Sequence, residues 1–226
     1  MLEVSDLEVH INGASKLRHV SFTVQEGEAV VVLGPNGAGK STLMRALAGQ
    51  LPIAGGQVLF MGQPLKGRAS RRPKRGVVLA PQNHPVFPSL TVAEHLALVR
   101  STEDQRERVL GLFPELKDHL KRRASNLSGG QRQMLSMSQS LLLQPRLLLL
   151  DEPSSGLAPK VVAAMFDAIA TVVASGTSIL LVEQNAARAL RVTNRAVLLE
   201  HGSVALAGAS QELLTNPHVK TVYLGL

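Results

Sequence analysis

The sequence predicts an α/β domain with a buried parallel sheet and a helical insert, and three observations carry that reading. Two short apolar runs, RLLLL (146–150) and SILLV (178–182), flank the helical pattern VVAAMFDAIATVVA, a βαβ unit whose strands are covered on both faces. The stretch EAVVVLGPNGAGKSTLMRALAG reads as a buried strand, a glycine-rich loop and a helix. Between Pro85 and about Gln144 the apolar spacing changes to a helical period.

Residues 1–33 alternate with a period of two, as in LEVSDLEVHI and VSFTV, punctuated by Gly13 and the EGE of 26–28. GQVLFMG (56–62) is a further strand. In the insert, VAEHLALV and RERVLGLF are the clearest helices, with Pro88 and Pro114 as breaks. RAVLLEHGSVALAG gives two strands around a His201–Gly202 turn, and a short helix comes next near QELLT. With no internal repeat and no flexible linker, residues 1–226 are expected to form one domain with a helical subdomain at about 85–144.

Composition narrows the function classes. Hydrophobic residues at 45% and charged residues at 18% are ordinary for a globular fold. No run of about 18 apolar residues occurs, and MLEVSDLEVH lacks the features of a secretory signal, so a cytoplasmic chain that does not span a membrane is expected. The absence of cysteine excludes disulfides and thiolate metal sites, and the seven histidines show no HExxH spacing. The formal net charge of +7 is partly local: KGRASRRPKR (66–75) holds six basic residues in ten with no aromatic among them. That stretch reads as a solvated loop or helix face, with a membrane-proximal or nucleic-acid surface as the alternative.

The glycine-rich loop matches G-x-x-x-x-G-K-[ST] from Gly34 to Ser41, within the run Gly34, Pro35, Asn36, Gly37, Ala38, Gly39, Lys40, Ser41, Thr42. Glycines there let backbone N–H groups face phosphate oxygens, and a helix starting near Lys40 adds its positive end. Lys40 is placed for the β- and γ-phosphates, Ser41 for Mg²⁺, and Thr42 for phosphate. Asp151 and Glu152 stand at the end of RLLLL, where parallel sheets place their ligands. Asp151 suits the Mg²⁺ shell and Glu152 a general base, although DEP could also merely open a loop and cap the next helix. GVVLAPQ (76–82) reads as a strand ending on Gln82, whose amide could reach both metal and water.

The chain carries a second anion-binding surface. Ser128, Gly129, Gly130 and Gln131 open the helical pattern QRQMLSMSQSLLL. One nucleotide does not need two cradles from one chain, so this one is expected to serve a nucleotide held by a neighbouring subunit. A last polar triplet, Glu183-Gln184-Asn185, stands after an apolar strand in LLVEQN, and all three residues could touch a ligand or start a helix.

The order GPNGAGKST, PQ, LSGGQ, LLLLDEP resembles the ATP-binding cassette of ABC transporters over essentially the whole chain. The resemblance implies the P-loop NTPase fold of the ABC ATPases, with an antiparallel β subdomain and a helical subdomain. It implies ATP and Mg²⁺ as cofactors and two cassettes paired head to tail, each ATP lying between the first cradle of one and the LSGGQ of the other. VFPSLTVAEHL, DEPSSGLAP, LVEQN and the tail LLTNPHVKTVYLGL look most like the shorter cassette subunit of branched-chain amino-acid importers, also used for urea and short amides. Such a subunit sits on the cytoplasmic face of the membrane with a second ATP-binding subunit, two integral-membrane permeases and an extracytoplasmic solute-binding protein.

In that family Gln184 occupies the switch position usually held by histidine. Glutamine can donate to phosphate but cannot become a cation, so a positioning role is expected, with Asn185 capping the next helix. Where most cassettes stack an aromatic on adenine, this chain offers His10 and Ile11; Ala158 stands where an aspartate is usual; and Gln82 fits the urea-like relatives. A cassette of another transporter, including an exporter, remains open. A nucleic-acid-linked ATPase is disfavoured by the single cradle and the absence of long insertions, and a kinase would leave LSGGQ unexplained. No nucleic-acid partner is expected.

Overall fold

The central buried strands are apolar but for Ser178 at the start of one and Asp151 at the end of another, and four of the helices begin after a residue whose side chain caps them. The computed structural model describes residues 1–82 and 86–224; Pro85, the expected start of the helical insert, and Gly225 and Leu226 of the terminal segment lie outside the described residues. β1 (Leu2–Ile11) and β2 (Ala14–Val24) pair antiparallel around Asn12–Gly13, where both residues have positive φ. β3 (Ala29–Leu33) is wholly buried and leads into α1 (Lys40–Leu47). β4 (Gly55–Phe60) and β5 (Gln63–Pro64) return to the first sheet, whose order is β2-β1-β4-β5.

β6 (Val77–Ala80) precedes the helical insert. The insert comprises α2 (Val92–Ala97), α3 (Glu103–Leu112), α4 (Pro114–Lys117) and α5 (Gly129–Leu142). Thr91, Thr102 and Ser128 each form a reciprocal capping box with the residue three positions on, and Pro114 opens α4 where its missing N–H costs nothing. α5 packs against α2, α3, α4 and β6 and so joins the insert to the second sheet.

The chain closes with β7 (Leu147–Asp151), α6 (Pro159–Ala174), β8 (Ser178–Val182), α7 (Ala186–Val192), β9 (Arg195–Glu200), β10 (Ser203–Ala209) and α8 (Ser210–Thr215). The second sheet runs β10-β9-β3-β8-β7-β6, parallel except for β10. The expected βαβ unit is therefore β7-α6-β8, with its strands adjacent.

Side-chain alternation divides the core. Val30, Val32, Leu147, Leu149, Leu180 and Val182 face the cluster shared with α1 and the antiparallel sheet. Val31, Leu33, Leu148, Leu150, Ile179 and Leu181 face the cluster shared with α6, α7 and the helical insert. Each central strand thus buries both faces, which is why its sequence shows no polar alternation.

Two expectations change. GVVLAPQ is not strand to its end: β6 stops at Ala80, so Gln82 lies in the loop beyond it, free to turn toward its neighbours. The basic stretch 66–75 is only partly a solvated face. It forms two short 3-10 turns, and Arg72 within it is 4% exposed because its guanidinium turns inward to donate to the Lys66 carbonyl at 3.0 Å.

Candidate active site

The register of the parallel sheet gathers the chemistry at one end. Val32 pairs with Val182, and Val182 with Asp151, so the carboxyl ends of β3, β8 and β7 lie side by side. Each of these strands runs into residues suited to a ligand: Gly34 to Thr42 after β3, Glu183 to Asn185 after β8, Glu152 after β7.

The loop after β3 can close only with glycine at certain places. A Cβ on Gly34 would stand 2.2 Å from the Leu199 carbonyl oxygen, and one on Gly39 would stand 2.7 Å from Leu17 Cδ2, with Gly39 also at φ +108°. Lys40 folds back over this loop. Its ammonium is buried and donates to the carbonyls of Gly34 at 2.8 Å and Pro35 at 3.1 Å, with Glu152 Oε1 3.9 Å away. Burial lowers the Lys40 pKa below its usual value, against the opposing pull of Glu152, Asp151 and Glu183. Ala38 fastens the loop from behind, accepting from Gly202 N–H at 3.0 Å.

Ser41 donates its hydroxyl to Asp151 Oδ1 at 3.2 Å. Burial raises the Asp151 pKa, and the Ser41 hydrogen bond is the largest opposing effect. Glu152 adopts the left-handed region at φ 49° and is 6% exposed, while its N–H continues the ladder to the Val182 carbonyl at 2.9 Å. Two side-chain amides converge on its Oε2: Gln82 Nε2 at 3.0 Å and Gln184 Nε2 at 2.8 Å.

A cavity of about 380 Å³ lies over this group, lined among others by Asn36, Gly37, Lys40, Ser41, Thr42 and Glu152, with Gly39, Gln82 and Gln184 at its wall. A neighbouring cavity of about 310 Å³ is lined by Ser41, Gln82 and Asp151. The structure thus brings together the first cradle, Gln82, Asp151, Glu152 and Gln184. Lys16, an exposed residue of β2, also lines the first cavity, and nothing in its sequence surroundings marks it.

The triplet after β8 divides in two. Glu183 does not face the cavity: it is 2% exposed and accepts from the backbone N–H groups of Ser154 at 2.9 Å, Gln184 at 3.1 Å and Asn185 at 3.4 Å. It ties the loop after β7 to the loop after β8, although burial raises its pKa. Gln184 reaches the site, and Asn185 caps α7 by accepting from Arg188 N–H at 3.3 Å.

The second cradle lies elsewhere. Ser128 Oγ accepts from Gln131 N–H at 3.1 Å, Gln131 Oε1 accepts from Ser128 N–H at 3.0 Å, and Gln131 Nε2 donates to Glu115 at 2.8 Å. Gly129 is exposed; Gly130 is packed so closely on α6 that a Cβ would meet Val161 Cγ1 at 2.6 Å. None of Ser128, Gly129, Gly130 and Gln131 lines the cavity over the first cradle.

Comparison with known proteins decides the family. A family model described as ABC transporter matches residues 17–155, more than half of the chain. The chain belongs to the ABC transporter ATPases. This ABC ATPase is 39% identical to the high-affinity branched-chain amino acid transport ATP-binding protein BraG of Pseudomonas aeruginosa, over 100% of both chains. It is 37% identical to the probable branched-chain amino acid transport ATP-binding protein LivF of Archaeoglobus fulgidus, over 96% of this chain and 98% of that one. The lipopolysaccharide export system ATP-binding protein LptB of Escherichia coli K12 is 32% identical, over 99% of this chain and 97% of that one. The fold matches a nucleotide-free ATP-binding cassette from an ABC transporter with a TM-score of 0.87, at 22% identity and over 100% and 99% of the two chains. Among the described residues no helix is long and apolar enough to cross a membrane.

Proposed function

We propose that this ABC ATPase is the ATP-hydrolysing subunit of an importer for branched-chain amino acids or related small amides. The observation that carries the reading is the full-length similarity to BraG and LivF at 37–39% identity. On this reading residues 1–226 form one ABC ATPase domain at the cytoplasmic face of the membrane. It pairs with a second ATP-binding subunit and drives two permeases supplied by an extracytoplasmic binding protein.

The geometry supplies the parts such a cycle needs. The backbone of Gly34 to Gly39 and the amino end of α1 receive the phosphates, and Lys40 exchanges its loop carbonyls for phosphate oxygens. Ser41, Asp151 and Gln82 line one cavity with a hydroxyl, a carboxylate and an amide, hard oxygen donors that suit Mg²⁺, which would neutralise phosphate charge when bound. Glu152 polarises the attacking water and takes up its proton, while Gln82 and Gln184 fix the carboxylate's orientation. Ser128, Gly129, Gly130 and Gln131 serve the nucleotide of the paired cassette, since they stand apart from the cavity of their own chain.

The similarity to LptB favours a second reading, a cassette of an export system. Reconstitution in proteoliposomes with the permeases that co-purify separates the two. ATP-dependent uptake of labelled leucine or a short amide supports import, whereas uptake of neither, with ATP turnover stimulated by a lipid substrate, overturns it.

A further inference from the structure

The net charge of the chain has one source. Residues 29–93 hold eight of the 24 Lys and Arg and none of the 17 Asp and Glu, so the remainder, with 16 basic residues against 17 acidic, is close to neutral. Of those eight, Lys40 and Arg45 line the cavities of the active site. The other six are those of the stretch 66–75, which the active site does not use.

The fold sorts these six into two groups. Arg71, Arg72, Arg75 and Gly76 donate their N–H groups to the carbonyls three residues back at 2.9–3.0 Å, and Arg72, between the two turns, is itself helical at φ −60°, ψ −47°. Side chains three apart eclipse in such turns. Arg72 and Arg75 therefore share one row, and both are spent on backbone: their Nη1 groups donate to the carbonyls of Lys66 at 3.0 Å and Pro64 at 2.8 Å, clipping the turns to the end of β5. Arg71 and Lys74 share another row, and with Lys66 and Arg68 they are exposed. Among the described residues none of these four pairs with a carboxylate.

Four exposed cations on a scaffold fixed by two further arginines make a patch of one sign, which attracts an extended anionic surface. The stretch has no aromatic side chain on which a base could stack, which disfavours nucleic acid. A cluster of this size beside a membrane suits anionic headgroups, each Lys or Arg there being worth about fivefold in affinity. We propose that Lys66, Arg68, Arg71 and Lys74 bind anionic phospholipid headgroups of the membrane on which this ATPase works. The inference rests on the reading of the chain as a transporter subunit held at a membrane.

The test is co-sedimentation of the full chain, its first cradle filled with ADP, with vesicles of phosphatidylcholine alone or mixed with phosphatidylglycerol. Binding is expected to rise steeply with the phosphatidylglycerol content and to fall as sodium chloride screens the charges. Replacing Lys66, Arg68, Arg71 and Lys74 together by Gln should lower the partition coefficient about a hundredfold or more and leave ADP binding unchanged. The same replacement of Arg100, Arg108, Lys121 and Arg122, four exposed cations of the helical insert, should retain most of the vesicle binding. Equal binding to neutral vesicles, indifference to salt, or equal losses in the two fourfold variants overturns the proposal. So does a labelled DNA duplex or single-stranded RNA that displaces the wild-type chain from the vesicles and depends on the same four residues. Neither permease nor solute enters this assay, so its failure leaves the importer reading standing, and a failure of uptake in proteoliposomes leaves the lipid contact standing.

Discussion

The two glycine-containing cradles of this ATPase are finished to different degrees within one chain. Around Gly34 to Thr42 the polar groups hold one another provisionally: Lys40 bonds loop carbonyls, Ser41 bonds Asp151, and two amides bond Glu152, all bordering open cavities. Around Ser128 the bonds are those of an ordinary capped helix, with Ser128 and Gln131 satisfying each other. The first region gathers buried charge beside open cavities, whereas the polar groups of the second satisfy one another within the chain. A helix cap that is already satisfied can still offer the exposed N-terminal backbone of α5 to an anion, but that anion must come from outside.

Breaking the first region should have the largest effect. Glu152→Gln is expected to lower ATP turnover by about a thousandfold, the scale of a lost general base, while nucleotide binding is retained. Steady-state hydrolysis at several chain concentrations checks both halves of the comparison. A rate per chain that rises with concentration in the wild type requires the second cradle from a partner; a rate independent of concentration would show that one chain completes a site alone.

A smaller loss is expected from Gln184→Ala. It removes one of the two amide donors on Glu152 Oε2 and leaves Gln82 in place, so kcat should fall about tenfold, the equivalent of one hydrogen bond to a charged group. Single-turnover kinetics at saturating ATP would measure it. An unchanged rate would mean that Gln82 alone orients the carboxylate.

The contrast between the regions also explains what could be read in the sequence. The parallel strands were legible because burial on both faces leaves runs such as LLLL and SILLV, and the first cradle because close backbone approach restricts Gly34 and Gly39 to glycine. Gln82 and Gln184 could be placed near the site, yet their meeting on one oxygen of Glu152 depends on three loops of different strands, and no local pattern encodes that. Glu183 reads as a third polar ligand beside Gln184 because strand alternation cannot be carried past Val182, where the chain turns. Only the structure shows its carboxylate turned inward to three backbone donors. Arg72 was hidden for the opposite reason: within a charge run, one inward-facing member looks like the rest.

Ser128→Ala sharpens the comparison from the other side. In the lone chain it removes the acceptor for Gln131 N–H, so denaturant unfolding should show a loss of about 1 kcal/mol. Nucleotide affinity of the lone chain should stay unchanged, whereas Ser41→Ala should weaken Mg²⁺-nucleotide binding. Equal weakening by both substitutions would place the two cradles on one nucleotide in one chain and remove the case for a partner.

The smallest effect expected concerns the cost of keeping the first region unfinished. Burial holds the Asp151 carboxyl above its ordinary value of 3.8, Glu152 adds to the rise, and Ser41, Lys40 and Arg45 offset only part of it. A raised pKa in the folded state means that folding takes up a proton there. Its contribution is intact below the unfolded value and is lost as pH rises through the folded one. At neutral pH the ionised Asp151 is therefore a net penalty in the nucleotide-free chain, and Asp151→Asn should raise Tm by on the order of 2 °C. The gain should shrink as pH is lowered toward 3.8 and should reverse when Mg²⁺-ATP is added, because the wild type then gains a ligand that the variant holds poorly. Calorimetry across that range reads the sign directly. A nucleotide-free Asp151→Asn chain that melts below the wild type at neutral pH would show that Ser41, Lys40 and Arg45 already compensate the carboxylate, and that the first cradle, like the second, is complete on its own.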